Sequence, residues 1–345
     1  LLGRLFKDVS NLKVLSFDKK KVIPFLLLHN RSIVQSLRDN GKFHQNIFRN
    51  FRIDYINSFS PEIIHFEFSG VALAFLNHID KLKGGKVVSC RGTGENVNLL
   101  LNTERQENLK KLFEKVDAIH CVSSALKSTV LSYCRQTEKL FVNNPAIDTQ
   151  LFQRKKSYRE EPILTILSVG RFIFQKGYFI GLLAIKKLNE YNKNFKWVIA
   201  GSGPQCEEIL FHVHQMNLHD YVILVGNKNR EEIIELYNEA SIFFLPSVTE
   251  GIANVVLEAM SMELPVVSTR CGGMEEAIIH GENGLLSNVY DHISLAERLA
   301  ELLVNCQLRK RLGKTARKTV VEKFDLNEQI NKFEKVYYQL IQGNP

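Results

Sequence analysis

The chain has little of what marks a secreted, metal-bound or membrane-spanning protein. Its six cysteines, Cys90, Cys121, Cys134, Cys206, Cys271 and Cys306, form no Cys-x-x-Cys pair and have no histidine at metal-ligand spacing. Scattered thiols of this kind are usually reduced and partly buried, so a reducing, cytoplasmic setting without a structural metal is expected. The longest apolar runs, such as Ile23-Pro24-Phe25-Leu26-Leu27-Leu28, are far too short to span a bilayer. The opening Leu1-Leu2-Gly3-Arg4-Leu5-Phe6 has neither a long apolar core nor a cleavage site, which predicts no signal peptide. It also lacks a Met, which fits a piece of a longer product. No basic helix with interleaved aromatics occurs, so nucleic acid is not an expected partner. Internal repeats and low-complexity segments are absent.

What is present is an ordinary globular composition with an uneven charge. Hydrophobic residues make up 45% and charged residues 24% of 345 residues, a length that suits two domains rather than one core. Residues 1–150 hold about 22 Lys/Arg against about 14 Asp/Glu, which accounts for the whole formal net charge of +8. A solvated face explains such an excess without any partner. The functional alternative is attraction to an anionic membrane surface or an acidic acceptor, with Lys19, Lys20, Lys21, Arg49 and Arg52 beside Phe25, Phe48 and Phe51 as candidates.

Short β-branched runs alternate with helical patterns along most of the chain. Strands are expected at 164–169, 197–200, 222–225, 242–245 and 266–268, with helices at 179–191, 205–216, 231–238 and 253–262 between them. Continuous apolar strands imply a parallel sheet covered on both faces, and strand–helix alternation implies a doubly wound α/β domain. A looser version precedes it, with strands at 62–66, 87–89, 118–122 and 140–142 and helices at 71–82, 104–115 and 125–134. The polar run 153–162 reads as the linker. The chain therefore divides into residues 1–157, 158–325 and a terminal helical stretch 326–345.

Glu250 to Met260 is the most informative segment. It follows a strand-like run closed by Pro246, so Glu250 is placed on a loop at the carboxyl end of a strand, where open α/β sheets hold ligands. Glu258 is expected about two turns along the following helix. Between them Gly251, Ile252 and Ala253 lead into a helix N-terminus whose free N–H groups suit an anion. Carboxylates suit hydroxyl-rich partners, so the combination describes a nucleotide-sugar site. Taken alone, Glu250 would read as a carboxylate offsetting a helix dipole.

The segment resembles the Glu-x7-Glu motif of retaining glycosyltransferases of the GT-B fold, specifically glycosyltransferase family 4. Ser168-Val169-Gly170-Arg171 with Lys176-Gly177, then Ala200-Gly201-Ser202-Gly203-Pro204, Gly272-Gly273-Met274-Glu275-Glu276 and Gly281-Glu282-Asn283-Gly284 fall in the same order and spacing. The resemblance implies a GT-B architecture: two doubly wound Rossmann-like domains facing across a cleft, with the last helix crossing back to the first domain. It implies that Glu250, Arg171 and Lys176 are catalytic, Glu250 meeting the donor sugar and the two cations the diphosphate. Glu258 would hold the ribose, with Gly251, Ile252, Ala253, Gly170 and Gly226 also lining the donor site. On the acceptor side Arg91 stands where many members carry His, followed by Thr93. Glu263 stands where the family usually has Gly, and no glycine loop follows the strand-like 12–17.

The expected activity is retaining transfer of a sugar from a nucleoside diphosphate to a hydroxyl of a glycan or lipid-linked acceptor, in polysaccharide or glycolipid synthesis. No cofactor beyond the donor and no metal are expected, in keeping with the lack of any Asp-x-Asp motif. The protein is expected in the cytoplasm, with peripheral attachment to the membrane as one option. Two other readings remain: a sugar phosphorylase or sugar-phosphate synthase on the same fold, and a truncated relative that binds without turnover.

Overall fold

A computed structural model describes residues 52–100, 102–156 and 161–343. The basic cluster at 19–21, Arg49, Phe25, Phe48, Phe51 and the strand-like 12–17 lie outside the described residues, as does 157–160 of the expected linker. Among the described residues no helix is long and apolar enough to cross a membrane.

The first lobe is a four-stranded parallel sheet in the order β1-β2-β3-β4. Its strands are β1 (Ile63–Phe66), β2 (Gly85–Cys90), β3 (Ala118–Cys121) and β4 (Leu140–Val142). Helices α1 (Ser69–Leu73), α2 (Thr93–Asn96), α3 (Thr103–Lys115) and α4 (Ser124–Leu131) cover it. The helix expected over 71–82 is split: α1 ends at Leu73 and a 3₁₀ segment runs Leu76–Lys81. Asn102 and Ser123 cap α3 and α4 through their side chains, the residue types that favour helix starts.

The second lobe is a six-stranded parallel sheet in the order β10-β9-β8-β5-β6-β7. In chain order these are β5 (Leu164–Val169), β6 (Phe195–Ala200), β7 (Val222–Gly226), β8 (Ile242–Leu245), β9 (Val266–Thr269) and β10 (Leu285–Ser287). The helices between them are α5 (Tyr178–Tyr191), α6 (Cys206–Gln215), α7 (Arg230–Glu239), α8 (Asn254–Ser261) and α9 (Met274–Ala277). Every residue of β8 and β9 is buried, as continuous apolar runs in a covered parallel sheet require. β5 and β8 are neighbours although three crossovers separate them, so the winding reverses there, and a crevice opens at their carboxyl ends. Ser168 on β5 ties this junction: it accepts from the fully buried Trp197 Nε1–H at 2.8 Å and donates to the Phe244 carbonyl on β8. Ile147 and Phe152, ahead of β5, belong to the core of this lobe.

Three helices close the chain: α10 (His292–Val304), α11 (Cys306–Lys323) and α12 (Leu326–Ile341). α12 leaves the second lobe and packs on the first, held by a polar chain through the sheet. Tyr337 Oη lies 2.5 Å from His65 Nδ1, His65 Nε2 lies 2.7 Å from Ser89 Oγ, Ser89 Oγ lies 2.8 Å from His120 Nδ1, and His120 Nε2 lies 2.7 Å from the Asn143 carbonyl. With both imidazoles neutral, the last contact fixes every proton, because a carbonyl can only accept. His120 Nε2 donates, so Ser89 donates to His120 Nδ1, His65 Nε2 donates to Ser89, and Tyr337 donates to His65. The chain then runs one way. Burial, chiefly, holds His65 down to about 3 and His120 down to about 4, so both are neutral near pH 7.

Candidate functional site

The loops after β5 and β8 bring the first pair of functional groups together. β5 ends at Val169, and a 3₁₀ turn, Phe174–Lys176, leads into α5. Gly177 makes that junction in a left-handed conformation, φ +64, where a Cβ would collide with the Pro246 carbonyl. This close approach aims Lys176 across to the β8 loop, where its Nζ meets Glu250 Oε1 at 2.6 Å. Ser247 Oγ donates to the same oxygen at 2.8 Å. Both side chains are about 85% shielded from solvent (15% and 14% exposed), so the pair acts in a low-dielectric setting where charge interactions are strong. Cys271 lies nearby, and burial pushes its thiol up to about 11, which keeps it from acting as a thiolate.

The Glu250 loop runs through buried Gly251, Ile252 and Ala253 into α8. Ala253 is the N-cap and offers no side-chain cap, so the first amides of α8 remain open to an anion. α8 begins at Asn254, which places Glu258 just over one turn along it, not the two turns expected from the sequence. The helix start moved by only one residue, from the expected Ala253 to Asn254; Glu258 stands five residues beyond the one and four beyond the other, so two turns overstated the distance. Glu258 Oε2 accepts from Tyr237 Oη at 2.9 Å. Burial pushes Glu258 up to about 7, against the opposing pull of the Tyr237 hydroxyl and Arg230. Such a carboxylate gains from any further donor, a pair of ribose hydroxyls included.

Of the other residues singled out in the sequence, Gly170 lies beside this pair: a Cβ there would stand 3.1 Å from Tyr178 Oη and 3.3 Å from Lys176 Cε. Gly226, at the end of β7 with φ +69, has open space around it. Arg171 is exposed and makes no side-chain hydrogen bond or ion pair among the described residues; it is not brought onto Glu250. Arg91 is engaged by partners within the first lobe. Its Nε donates to the Glu67 carbonyl at 2.9 Å, its guanidinium pairs with the Glu67 carboxylate, and its Cζ lies 5.3 Å above the Phe68 ring. A neighbouring carboxylate outcompetes the open cleft for a cation. Thr93, the first residue of α2, is exposed.

The lobes meet beside the Glu250 loop. A Cβ on Gly251 would stand 2.7 Å from Val122 Cγ2 and 3.2 Å from the Arg91 carbonyl, so only glycine lets the two backbones approach this closely. Sequence reasoning missed Ser247, Tyr237 and Glu67, which are ordinary residue types with no spacing signal. Among the described residues no three His, Cys, Asp or Glu side chains gather as a metal cluster.

Residues 149–319 match the family described as Glycosyl transferases group 1. This segment is similar to a group 1 glycosyl transferase domain. Similar over 246 residues, at 30% identity, is the amylovoran biosynthesis glycosyltransferase AmsK of Erwinia amylovora; the match covers 70% of this chain and 60% of that protein. The putative colanic acid biosynthesis glycosyltransferase WcaL of Escherichia coli is 29% identical over 244 residues, 69% of this chain and 60% of that one. The chain thus spans about 60% of the length of these relatives. Among solved structures, Anabaena HepE in complex with UDP and glucose superposes with a TM-score of 0.76 at 15% identity, covering 87% of this chain and 83% of that one. That likeness carries the fold: two Rossmann-like α/β lobes in the GT-B arrangement.

Proposed function

We propose that the protein is a retaining glycosyltransferase that moves a sugar from a nucleoside diphosphate to a hydroxyl of a glycan or lipid-linked acceptor, in the synthesis of a cell-surface polysaccharide. The shielded Lys176–Glu250 pair, set beside an uncapped helix N-terminus where the sheet reverses its winding, carries this reading. A sugar leaving its diphosphate builds negative charge on the leaving group and positive character at the anomeric carbon. Lys176 and the first amides of α8 stabilise the former without reorganising, and Glu250 faces the latter. Glu258, one turn further in, is suited to the ribose hydroxyls. Arg171, exposed at the mouth, is free to swing onto the diphosphate. Arg91, held by Glu67 over Phe68, faces the acceptor side. The names of the relatives support the polysaccharide context, and the UDP in the Anabaena structure supports a nucleoside diphosphate donor.

Calorimetry with UDP, GDP and ADP, followed by a hydrolysis screen over the matching nucleotide sugars, tests the reading. One nucleotide should bind, and Glu250→Ala should keep that binding while losing about a hundredfold in rate, the usual effect of removing one transition-state contact. Failure of all three nucleotides to bind the folded protein would overturn it.

A further inference from the structure

The second lobe reaches across the cleft at one more place. α9 carries Glu276 to the first turn of α4. Its Oε2 accepts from the Ser124 backbone N–H and its Oε1 from the Ala125 N–H, each at 3.0 Å. These are the first two amides of α4, which have no acceptor within their own helix. The third, Leu126 N–H, is taken inside the first lobe by Ser123 Oγ at 3.1 Å. The cap of α4 is therefore assembled from both lobes, and it is complete only when they are together. A carboxylate at the positive end of a helix adds a favourable charge–dipole contact.

The same contact is mechanically joined to the site. Gly273, one residue before α9, donates its N–H to the Gly251 carbonyl at 2.7 Å, so the Glu276 segment and the Glu250 loop are tied backbone to backbone. A Cβ on Gly273 would stand 2.6 Å from Ser123 Cβ, and one on Gly92 would stand 3.2 Å from Gly251 N. No slack remains between the loops. Where Glu276 grips α4, Gly251 is pressed against Arg91 and Gly92.

We propose that Glu276 is a positioning residue: from the second lobe it clasps the N-terminus of α4, and so holds the Arg91–Gly92 loop against the Glu250–Gly251 loop in the arrangement transfer requires. Its functional meaning rests on the proposed donor site, but the clasp belongs to the unliganded protein and is measurable without a substrate.

Residue-resolved amide exchange on the unliganded chain tests the clasp. In E276A the Ser124 and Ala125 amides should exchange roughly tenfold faster or more, the effect of losing a charge-assisted hydrogen bond at each. Leu126 should stay protected. S123A should do the reverse, freeing Leu126 alone. E276Q, which keeps one acceptor oxygen without the charge, should fall between wild type and E276A. E275A, which loses only the exposed pairing with Arg270, should leave all three amides unchanged, and an unaltered melting transition shows that each variant is folded. Equal exchange at Ser124 and Ala125 in wild type and E276A overturns the clasp. With the donor returned by the hydrolysis screen, E276A should lower kcat about tenfold with the donor KM nearly constant, because closure and not donor binding is lost. An unchanged kcat overturns the positioning role. Failure of every nucleotide to bind would instead remove the donor-site reading and leave the exchange result standing.

Discussion

Acid should loosen the first lobe while it tightens the second. With both imidazoles neutral, the chain from Tyr337 through His65, Ser89 and His120 to Asn143 has one proton arrangement. Their folded values, about 3 and about 4, lie below the 6.5 or so of an unfolded chain. Such a group contributes fully above pH about 6.5 and loses its contribution as pH falls towards the folded value. At pH 5 the unfolded chain has bound a proton at each histidine and the folded lobe at neither, so each costs about 2 kcal/mol and the two about 4 kcal/mol together. Glu258 works in the opposite direction. Its folded value, about 7, lies above the ordinary carboxylate value, so its contribution is full at low pH and disappears as pH rises through 7. Between pH 7.5 and 5 the second lobe gains about 2 kcal/mol from it.

The two lobes can be read apart. Trp197, the only tryptophan, is buried in the second lobe, so its fluorescence during urea unfolding follows that lobe. Amide exchange in β1 to β3, where His65, Ser89 and His120 sit, follows the first. Exchange there should quicken from pH 7.5 to 5, after correction for intrinsic rates, while the Trp197 transition holds or moves to higher urea. In His65→Gln about half of the acid loss, roughly 2 kcal/mol, should vanish from the first lobe. A first lobe whose protection is flat between pH 7.5 and 5, or a His65→Gln variant with the wild-type slope, would refute the proton assignment.

Two further outcomes follow from the geometry. Lys176→Ala leaves the Glu250 carboxylate shielded with Ser247 as its remaining side-chain partner, and should destabilise the second lobe by about 3 kcal/mol; adding Glu250→Ala should recover part of it, so a urea-unfolding double-mutant cycle with no coupling would contradict the pairing. Glu263 ends α8 at φ +59, with its N–H on the Met260 carbonyl at 3.1 Å and the Leu264 N–H on the Ala259 carbonyl at 3.0 Å, the left-handed helix end that favours glycine. Glu263→Gly should therefore raise stability by about 0.5–1 kcal/mol in the same assay, and a loss of stability would show that the strain is offset elsewhere.

The sequence by itself determined what is local. Each apolar run of the second lobe became a parallel strand, the central ones buried throughout because runs such as Ile242-Phe243-Phe244-Leu245 have no polar face to give to water, and the edge strand β7 only in part. The same reading placed Glu250 on a loop after β8 and Glu258 on the helix after it, since both depend on a strand end and a helix start within a dozen residues. β10 escaped it, being only Leu285–Ser287, too short for a pattern. Only the tertiary structure decided the partners. Lys176 and Glu250 lie 74 positions apart and meet because β5 and β8 become neighbours at the reversal of winding. Arg91 paired with Glu67, just past the end of the adjacent strand. His65 and His120, two ordinary histidines in sequence, were joined by Ser89 on the strand between them and closed by Tyr337 from the far end of the chain. Glu276 found its acceptor-starved amides on the other lobe. Hydrophobic burial is written residue by residue, whereas a hydrogen bond or ion pair needs two groups at one place, and that place is set by strand order, crossover and the approach of two lobes.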